Sequence, residues 1–153
     1  GVGIAGDAHA GVTVQHLSRQ RATPDAPNLR QVHLLDTGLV ARLAALGFAI
    51  QPGDIGENIV IDGLALSDLP TDTLLSIGSD GVEIALTGFR NPCRQLDDWT
   101  PGLMSACLER TPEGPVRRMG GVMAIGVAGG RIAVGDACTV RLPDGPLRPL
   151  EPV

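Results

Sequence analysis

Thr73-Leu74-Leu75-Ser76-Ile77-Gly78-Ser79-Asp80-Gly81-Val82-Glu83-Ile84-Ala85-Leu86 holds two short apolar runs on either side of Ser79-Asp80-Gly81. The runs read as neighbouring strands, 73–77 and 82–86, and the Ser-Asp-Gly triplet reads as the tight connection between them. The same grammar repeats along the chain, where glycine and proline punctuate short apolar runs. Further strands are expected over 2–5, 31–35, 58–61, 122–127, 131–134 and 137–142, with Ala128-Gly129-Gly130 as a second tight connection. Two helices interrupt them. One covers 38–46, with Thr37 as N-cap, Leu39, Leu43 and Leu46 on one face, and Gly47 at the left-handed position past its end. The other starts near Pro101, with Thr100 as N-cap and Leu103, Met104, Cys107 and Leu108 as its apolar stripe. A mostly β protein with a few helices follows. Many short strands favour closure into a β-barrel, because closure removes exposed edges.

Composition sets the frame around that pattern. The 153 residues suit one domain, with a core over about 1–142 and a proline-rich surface tail over 143–153. The core must be aliphatic, since the chain has two Phe, one Trp and no Tyr. The formal net charge is −5 and every cationic side chain is Arg. An acidic chain with few aromatics lacks both the basic footprint and the stacking platforms of a nucleic-acid binder. Without Lys, Schiff-base and P-loop lysine chemistry are excluded, and any anion must be held by Arg, backbone N–H groups or neutral donors. No apolar run approaches the roughly 18 residues that span a bilayer, and no signal peptide is visible, although the chain begins at Gly1 rather than Met. Three cysteines without CxxC spacing argue against a disulfide framework or a zinc knuckle, so a reducing cytoplasm is the expected compartment.

Cys93 stands out among the three. It sits in Thr87-Gly88-Phe89-Arg90-Asn91-Pro92-Cys93-Arg94-Gln95, after a strand and before a helix, hence in a connecting loop. Arg90 and Arg94 flank it, and a nearby guanidinium favours the thiolate, which is the nucleophilic and metal-ligating form. Pro92 fixes the backbone beside it. The alternative is a loop cysteine without chemistry. Cys107, on a helical stripe, and Cys138, in a strand, read as core residues.

Other polar groups carry two readings each. In Gly6-Asp7-Ala8-His9-Ala10-Gly11, Asp7 either orients His9 or simply satisfies a turn, and spacing alone favours the turn. His16 and His33 carry less, and His9, His16 and Cys93 have no recognised zinc-ligand spacing. Gly53-Asp54-Ile55-Gly56-Glu57-Asn58 is either a turn into a strand or a close-approach loop in which Glu57 and Asn58 meet a ligand. Arg117-Arg118 before Gly120-Gly121, and Arg30, are either phosphate-binding guanidiniums or solvated charge. Asp136 reads as a structural turn residue.

Taken in order, Gly6-Asp7-Ala8-His9, Arg30-Gln31-Val32-His33-Leu34, Pro52-Gly53-Asp54-Ile55-Gly56-Glu57-Asn58-Ile59, Asn91-Pro92-Cys93 and Gly135-Asp136 resemble the MOSC domain family, named for the C-terminal domain of molybdenum-cofactor sulfurase. The resemblance implies a mostly β-barrel fold. It implies a cysteine, at Cys93, that ligates molybdenum or carries sulfur. It also implies a molybdenum-pyranopterin cofactor with a terminal phosphate. The larger amidoxime-reducing relatives carry an additional N-terminal domain that helps enclose the cofactor, and this chain shows no counterpart.

Two functions follow as expectations. The first is a molybdenum-dependent reductase of N-hydroxylated compounds. There Cys93 ligates the metal, and Arg30, Asn58, Arg90, Asn91, Arg94, Arg117 and Arg118 hold cofactor or substrate. Asp7, His9 and Glu57 move protons. Its electrons come from a separate donor protein, since the chain has no flavin, haem or iron–sulfur motif. The second is a sulfur or cofactor carrier working through a Cys93 persulfide. Expected partners are a small-molecule substrate and that donor, with no nucleic acid and no membrane. A homodimer is compatible with the sequence and not demanded by it.

Overall fold

The computed structural model describes residues 1–110, 114 and 116–153. Its centre is a six-stranded sheet built from β1 (Val32–Asp36), β2 (Ile59–Ile61), β3 (Leu74–Ile77), β4 (Val82–Phe89), β7 (Val122–Ala128) and β8 (Cys138–Arg141). A separate two-stranded ribbon pairs β5 (Leu108–Glu109) with β6 (Arg117–Arg118). The order across the large sheet is β2-β1-β7-β4-β3-β8. β1 and β2 run parallel, and every other neighbouring pair is antiparallel. The sheet curls into a half-barrel and leaves the outer edges of β2 and β8 without a strand partner among the described residues.

The period-2 reading of the opening stretch is met in side-chain burial. Along β4, Val82, Ile84 and Leu86 are buried while Glu83, Ala85 and Thr87 are partly exposed, and β3 buries Leu75 and Ile77 opposite them. Successive strand residues face opposite sides, so one face packs and the other meets solvent. β1 differs because both its faces are covered. Val32 and Leu34 enter the sheet-side core with Leu75, Ile84, Leu86 and Val122, while Leu35 enters a second core with Leu39, Leu43, Leu96 and Leu103.

Among the described residues four α-helices, α1 (Leu17–Gln20), α2 (Thr37–Ala45), α3 (Gln95–Trp99) and α4 (Leu103–Ala106), and a 3-10 turn over Leu66–Asp68 accompany the sheet. α2 lies where sequence places it, and Gly47 follows it at φ 93°. Its cap is Asp36 instead of Thr37: the Asp36 carboxylate accepts from the Leu39 amide at 2.8 Å, while the Thr37 hydroxyl donates to Asp62 at 2.7 Å. Leu39 and Leu43 are buried, but Leu46 lies beyond the helix and is exposed.

Five further expectations are corrected. The run 2–5 forms no strand, since Gly3 and Gly6 take φ of 94° and 81°, which no extended chain sustains. The run 131–134 forms none either, and Ala128-Gly129-Gly130 joins no adjacent strands. β7 is flanked by β1 and β4, and β8 pairs with β3, which leaves 131–134 without a ladder. In its place Asp136 closes a turn, accepting from the Ala133 amide at 2.8 Å. The helix expected from Pro101 shrinks to α4, which starts only after Gly102 at φ 90°, while Thr100, expected as its N-cap, instead ends a separate helix, α3, that the sequence did not signal. Leu103 and Cys107 are buried as expected, while Leu108 departs into β5. Finally, the C-terminal tail is fastened to the sheet. Leu150 is buried in the sheet-side core, the Phe89 amide donates to the Glu151 carbonyl at 2.9 Å, and the Val153 amide donates to the Phe89 carbonyl at 3.2 Å.

Candidate functional site

The loop after residue 5 is held in place by two buried amides. Asn28 Nδ2 donates to the carbonyls of His9 at 2.7 Å and Gly11 at 3.0 Å. Gln31 Nε2 donates to the Gly11 carbonyl at 3.0 Å, and its Oε1 accepts from the Gly126 amide at 2.9 Å. Buried polar side chains that are fully bonded in this way rigidify what they touch.

Asn58 ties that loop to the sheet. Its amide donates to the His33 carbonyl at 2.8 Å, and its Oδ1 accepts from the His33 amide at 2.8 Å. Its Nδ2 donates to Asp7 Oδ2 at 2.9 Å. Asp7 Oδ1 in turn accepts from the His9 amide at 2.7 Å and lies 3.2 Å from His9 Nδ1. The His9 amide, with help from Asn58, holds the Asp7 carboxyl below the ordinary carboxylate range against the opposing effect of burial. The two readings of Asp7 are therefore compatible: one oxygen closes a turn and also positions the imidazole.

His33 sits beneath these loops. Its ring nitrogens face the Gly56 carbonyl at 3.2 Å and the Gly120 carbonyl at 2.9 Å. Burial, reinforced by the nearby Arg90 charge, lowers its pKa to about 4. The ring is neutral near pH 7, with a single N–H to give to one of the two carbonyls. Gly121 makes this packing possible, because a Cβ there would collide with the His33 ring and the Leu34 carbonyl.

Above His33 opens a pocket of about 530 Å³, within the usual range for small-ligand sites. Cys93, Arg30, Arg90, Asn58, Asn91 and His9 all line it, with His16, Arg19 and Trp99 beside them. Ile55, Leu96 and Met123 supply apolar wall. Cys93 is a free, partly buried thiol whose Sγ lies 3.4 Å from Gln95 Oε1.

The two arginines set the electrostatics. Arg30 Nε and Arg90 Nη1 are buried without any hydrogen-bond partner. Neither guanidinium joins an ion pair among the described residues. Burial depresses the pKa of both. Arg19 and Arg90 depress that of Arg30 further, while Cys93 opposes the shift at each. His16 is likewise lowered, by burial first and then by Arg30. Burying unpaired cations side by side is costly unless an anion compensates them. The pocket is thus shaped for an anionic group next to a thiol.

The remaining sequence candidates lie elsewhere. Arg94 is exposed and sits 3.7 Å from Asp98. Arg117 lies 3.5 Å from Asp68 and 3.9 Å from Glu109, and neither it nor Arg118 lines the pocket. Glu57 accepts from the Gly53 amide and lines the neighbouring groove instead of the pocket, although its charge is felt at Arg90. Asp7 reaches the pocket only through His9 and Asn58. Sequence reasoning passed over Trp99, Arg19 and Gln95, whose spacing carries no signal, and gave little weight to His16 and His33. Among the described residues no three His, Cys, Asp or Glu side chains gather to hold a metal ion, so the conceivable zinc set of His9, His16 and Cys93 does not form.

The sequence matches the MOSC domain family over residues 16–139. The chain belongs to the MOSC domain family. Members of this family are associated with the molybdenum cofactor. Among solved structures, this MOSC domain is similar to the YuaD protein of Bacillus subtilis, with a TM-score of 0.67 and 22% identity over 91% of this chain and 80% of that one. It is similar to YiiM of Geobacillus stearothermophilus, with a TM-score of 0.58 and 19% identity over 75% of this chain and 56% of that one. YiiM of Escherichia coli gives a TM-score of 0.57 and 15% identity, over 78% and 58% of the two chains. The MOSC domain described here thus spans little more than half of either YiiM chain, and at these identities the likeness is one of fold. No curated protein sequence matches it. No helix among the described residues is long and apolar enough to cross a membrane.

Proposed function

We propose that this MOSC domain holds a molybdenum-pyranopterin cofactor in the 530 Å³ pocket and reduces N-hydroxylated compounds there. The observation that carries the reading is the pair of buried, unpartnered guanidinium nitrogens of Arg30 and Arg90 beside the free Cys93 thiol. A phosphate-bearing cofactor meets both needs, since its anion compensates the arginines and its metal takes a thiolate ligand. Arg's planar fork of donors suits a phosphate better than any other side chain does. When bound, the cofactor supplies the two-electron chemistry of N–O cleavage.

The chain's own residues do the rest. Arg30 and Arg90 hold the anionic tail and fix the register of the bound group. Cys93 would hold the metal through its thiolate. Asn91 offers neutral polar atoms to a ring edge, while Asn58, bonded to His33 and Asp7, keeps the His9 loop in place. Removing oxygen as water from an N-hydroxyl consumes two electrons and two protons. The electrons come from a separate donor protein. His9, oriented by Asp7, is the pocket residue placed to relay the protons, whereas burial and Arg30 lower the pKa of His16 and disfavour its protonated form. Arg94, Arg117 and Arg118 have no part in this account.

The test is reduction of an N-hydroxylated purine by molybdenum-loaded protein with a chemical reductant, wild type beside Cys93→Ser. Turnover in the wild type and loss of at least about 10²-fold in the variant are expected. Equal rates would defeat the reading. Turnover in neither, together with a mass increase of one sulfur on Cys93 after a persulfide donor, would replace it with a sulfur carrier built on the same thiol.

A further inference from the structure

The chain has three aromatic side chains, and the structure uses them unequally. Phe89 packs against the sheet-side core and Phe48 against the helix-side core. Trp99 joins neither. It ends α3, keeps 46% of its surface exposed, and lines the pocket that holds Cys93, Arg30 and Arg90. An indole is the largest apolar surface the chain possesses, and in water it is poorly placed unless something covers it. Leu96, on the same helix, and Ile55 extend the apolar wall beside it. The pocket therefore offers an aromatic surface together with two cations that lack partners. Gln95 and Asn91 add amide groups able to bond the polar edge of a ring.

We propose that Trp99 is the stacking platform for a planar nitrogen heterocycle whose anionic substituent lies at Arg30 and Arg90. The proposal deepens the reading above, because it concerns the same pocket, and names the ligand class as a flat heteroaromatic ring carrying an anion. Two sources share that chemistry: the pterin of the cofactor, and a purine-like substrate. Stacking on an aromatic side chain tolerates both, since each presents a π-face.

Trp99 is the sole tryptophan, so the intrinsic fluorescence of the protein reports on this position alone. The chain is titrated with pterin-6-carboxylate, with adenosine 5′-monophosphate and with ribose 5-phosphate, with free tryptophan as the optical control. At least one ring-bearing probe is expected to quench Trp99 emission, and ribose 5-phosphate to leave it unchanged. Whichever ring binds tighter identifies the source, cofactor or substrate. By calorimetry, Trp99→Leu is expected to weaken that probe about tenfold or more, and Trp99→Phe to restore most of the affinity. A half-exposed residue outside both cores can be changed without unfolding the domain, so loss of binding is not loss of fold. Absence of quenching by both ring probes would overturn the proposal. So would unchanged affinity in Trp99→Leu. Failure of the molybdenum reading appears in turnover or metal content, which this titration does not measure.

Discussion

The segment 53–64 walls two cavities of opposite character. On one side it helps line the pocket, where Arg19, Arg30 and Arg90 gather around Cys93. On the other it lines a groove of about 990 Å³ between the free edges of β2 and β8, where Glu57, Asp62 and Asp136 supply the charge and Ile132, Val134 and Val140 the apolar surface. In a chain of net charge −5, the pocket is lined by three arginines and one carboxylate, Asp54, whereas the charged residues lining the groove are all carboxylates. The pocket is tightly built, with buried amides bonding its loops and a histidine wedged beneath them. Residues 132–137 on the far wall of the groove are exposed throughout; the Asp136 turn closes them, and the Gly78 amide donates to the Ala137 carbonyl at 2.9 Å. Structural precision is therefore spent around the thiol and the arginines, and substitutions should be felt there first.

Gly121→Ala should have the largest effect. Its Cβ would meet the His33 ring and the Leu34 carbonyl, and its φ of 98° is unsuited to a side chain. A loss of about 4 kcal/mol on urea denaturation is expected from overpacking and backbone strain together.

His33 should make the stability of the domain depend on acid. Its folded pKa of about 4 lies below the ordinary 6.5, so between those values the unfolded chain binds the extra proton. The contribution is fully present above pH 6.5 and is lost as pH falls towards 4, amounting to roughly 3 kcal/mol. Denaturation midpoints measured across that window should fall steeply in the wild type and less so in His33→Gln.

Arg90→Met separates stability from binding. Removing an unpartnered, largely buried cation should stabilise the ligand-free domain by about 1 kcal/mol, read as a rise in Tm, while binding of anionic ligands weakens. A fall in Tm would mean that Arg90 serves the fold and would erase the contrast between the two cavities. At the small end, Val134→Asp on the groove wall should change stability by less than about 0.5 kcal/mol, because Val134 is fully exposed.

Much of this was legible in the sequence where local signals and tertiary demands agree. The 73–86 hairpin, α2 and the strands at 122–128 and 138–141 follow from alternation, helix periodicity and glycine placement alone. The strand expected at 131–134 carries the same local pattern, but a strand also needs a neighbour, and the topology offers none there. α3 was not legible because five residues with two adjacent aspartates show too little periodicity. The site divides in the same way. Cys93, Arg30, Arg90, His9, Asn58 and Asn91 come from three separate loops and a strand end, yet their motifs mark them. Arg117 and Arg118 carry an equally suggestive pattern, and only the fold reveals that Arg117 is occupied by Asp68 and Glu109. Trp99 has no motif at all, and its place on the pocket wall depends on where α3 packs.

The most direct test of the central claim is pterin and molybdenum content per chain after anaerobic purification from a molybdate-supplied host, comparing wild type with Arg30→Met/Arg90→Met. The account predicts near-stoichiometric cofactor in the wild type and at least about a tenfold loss in the folded double variant. Equal cofactor content in the two proteins would contradict it.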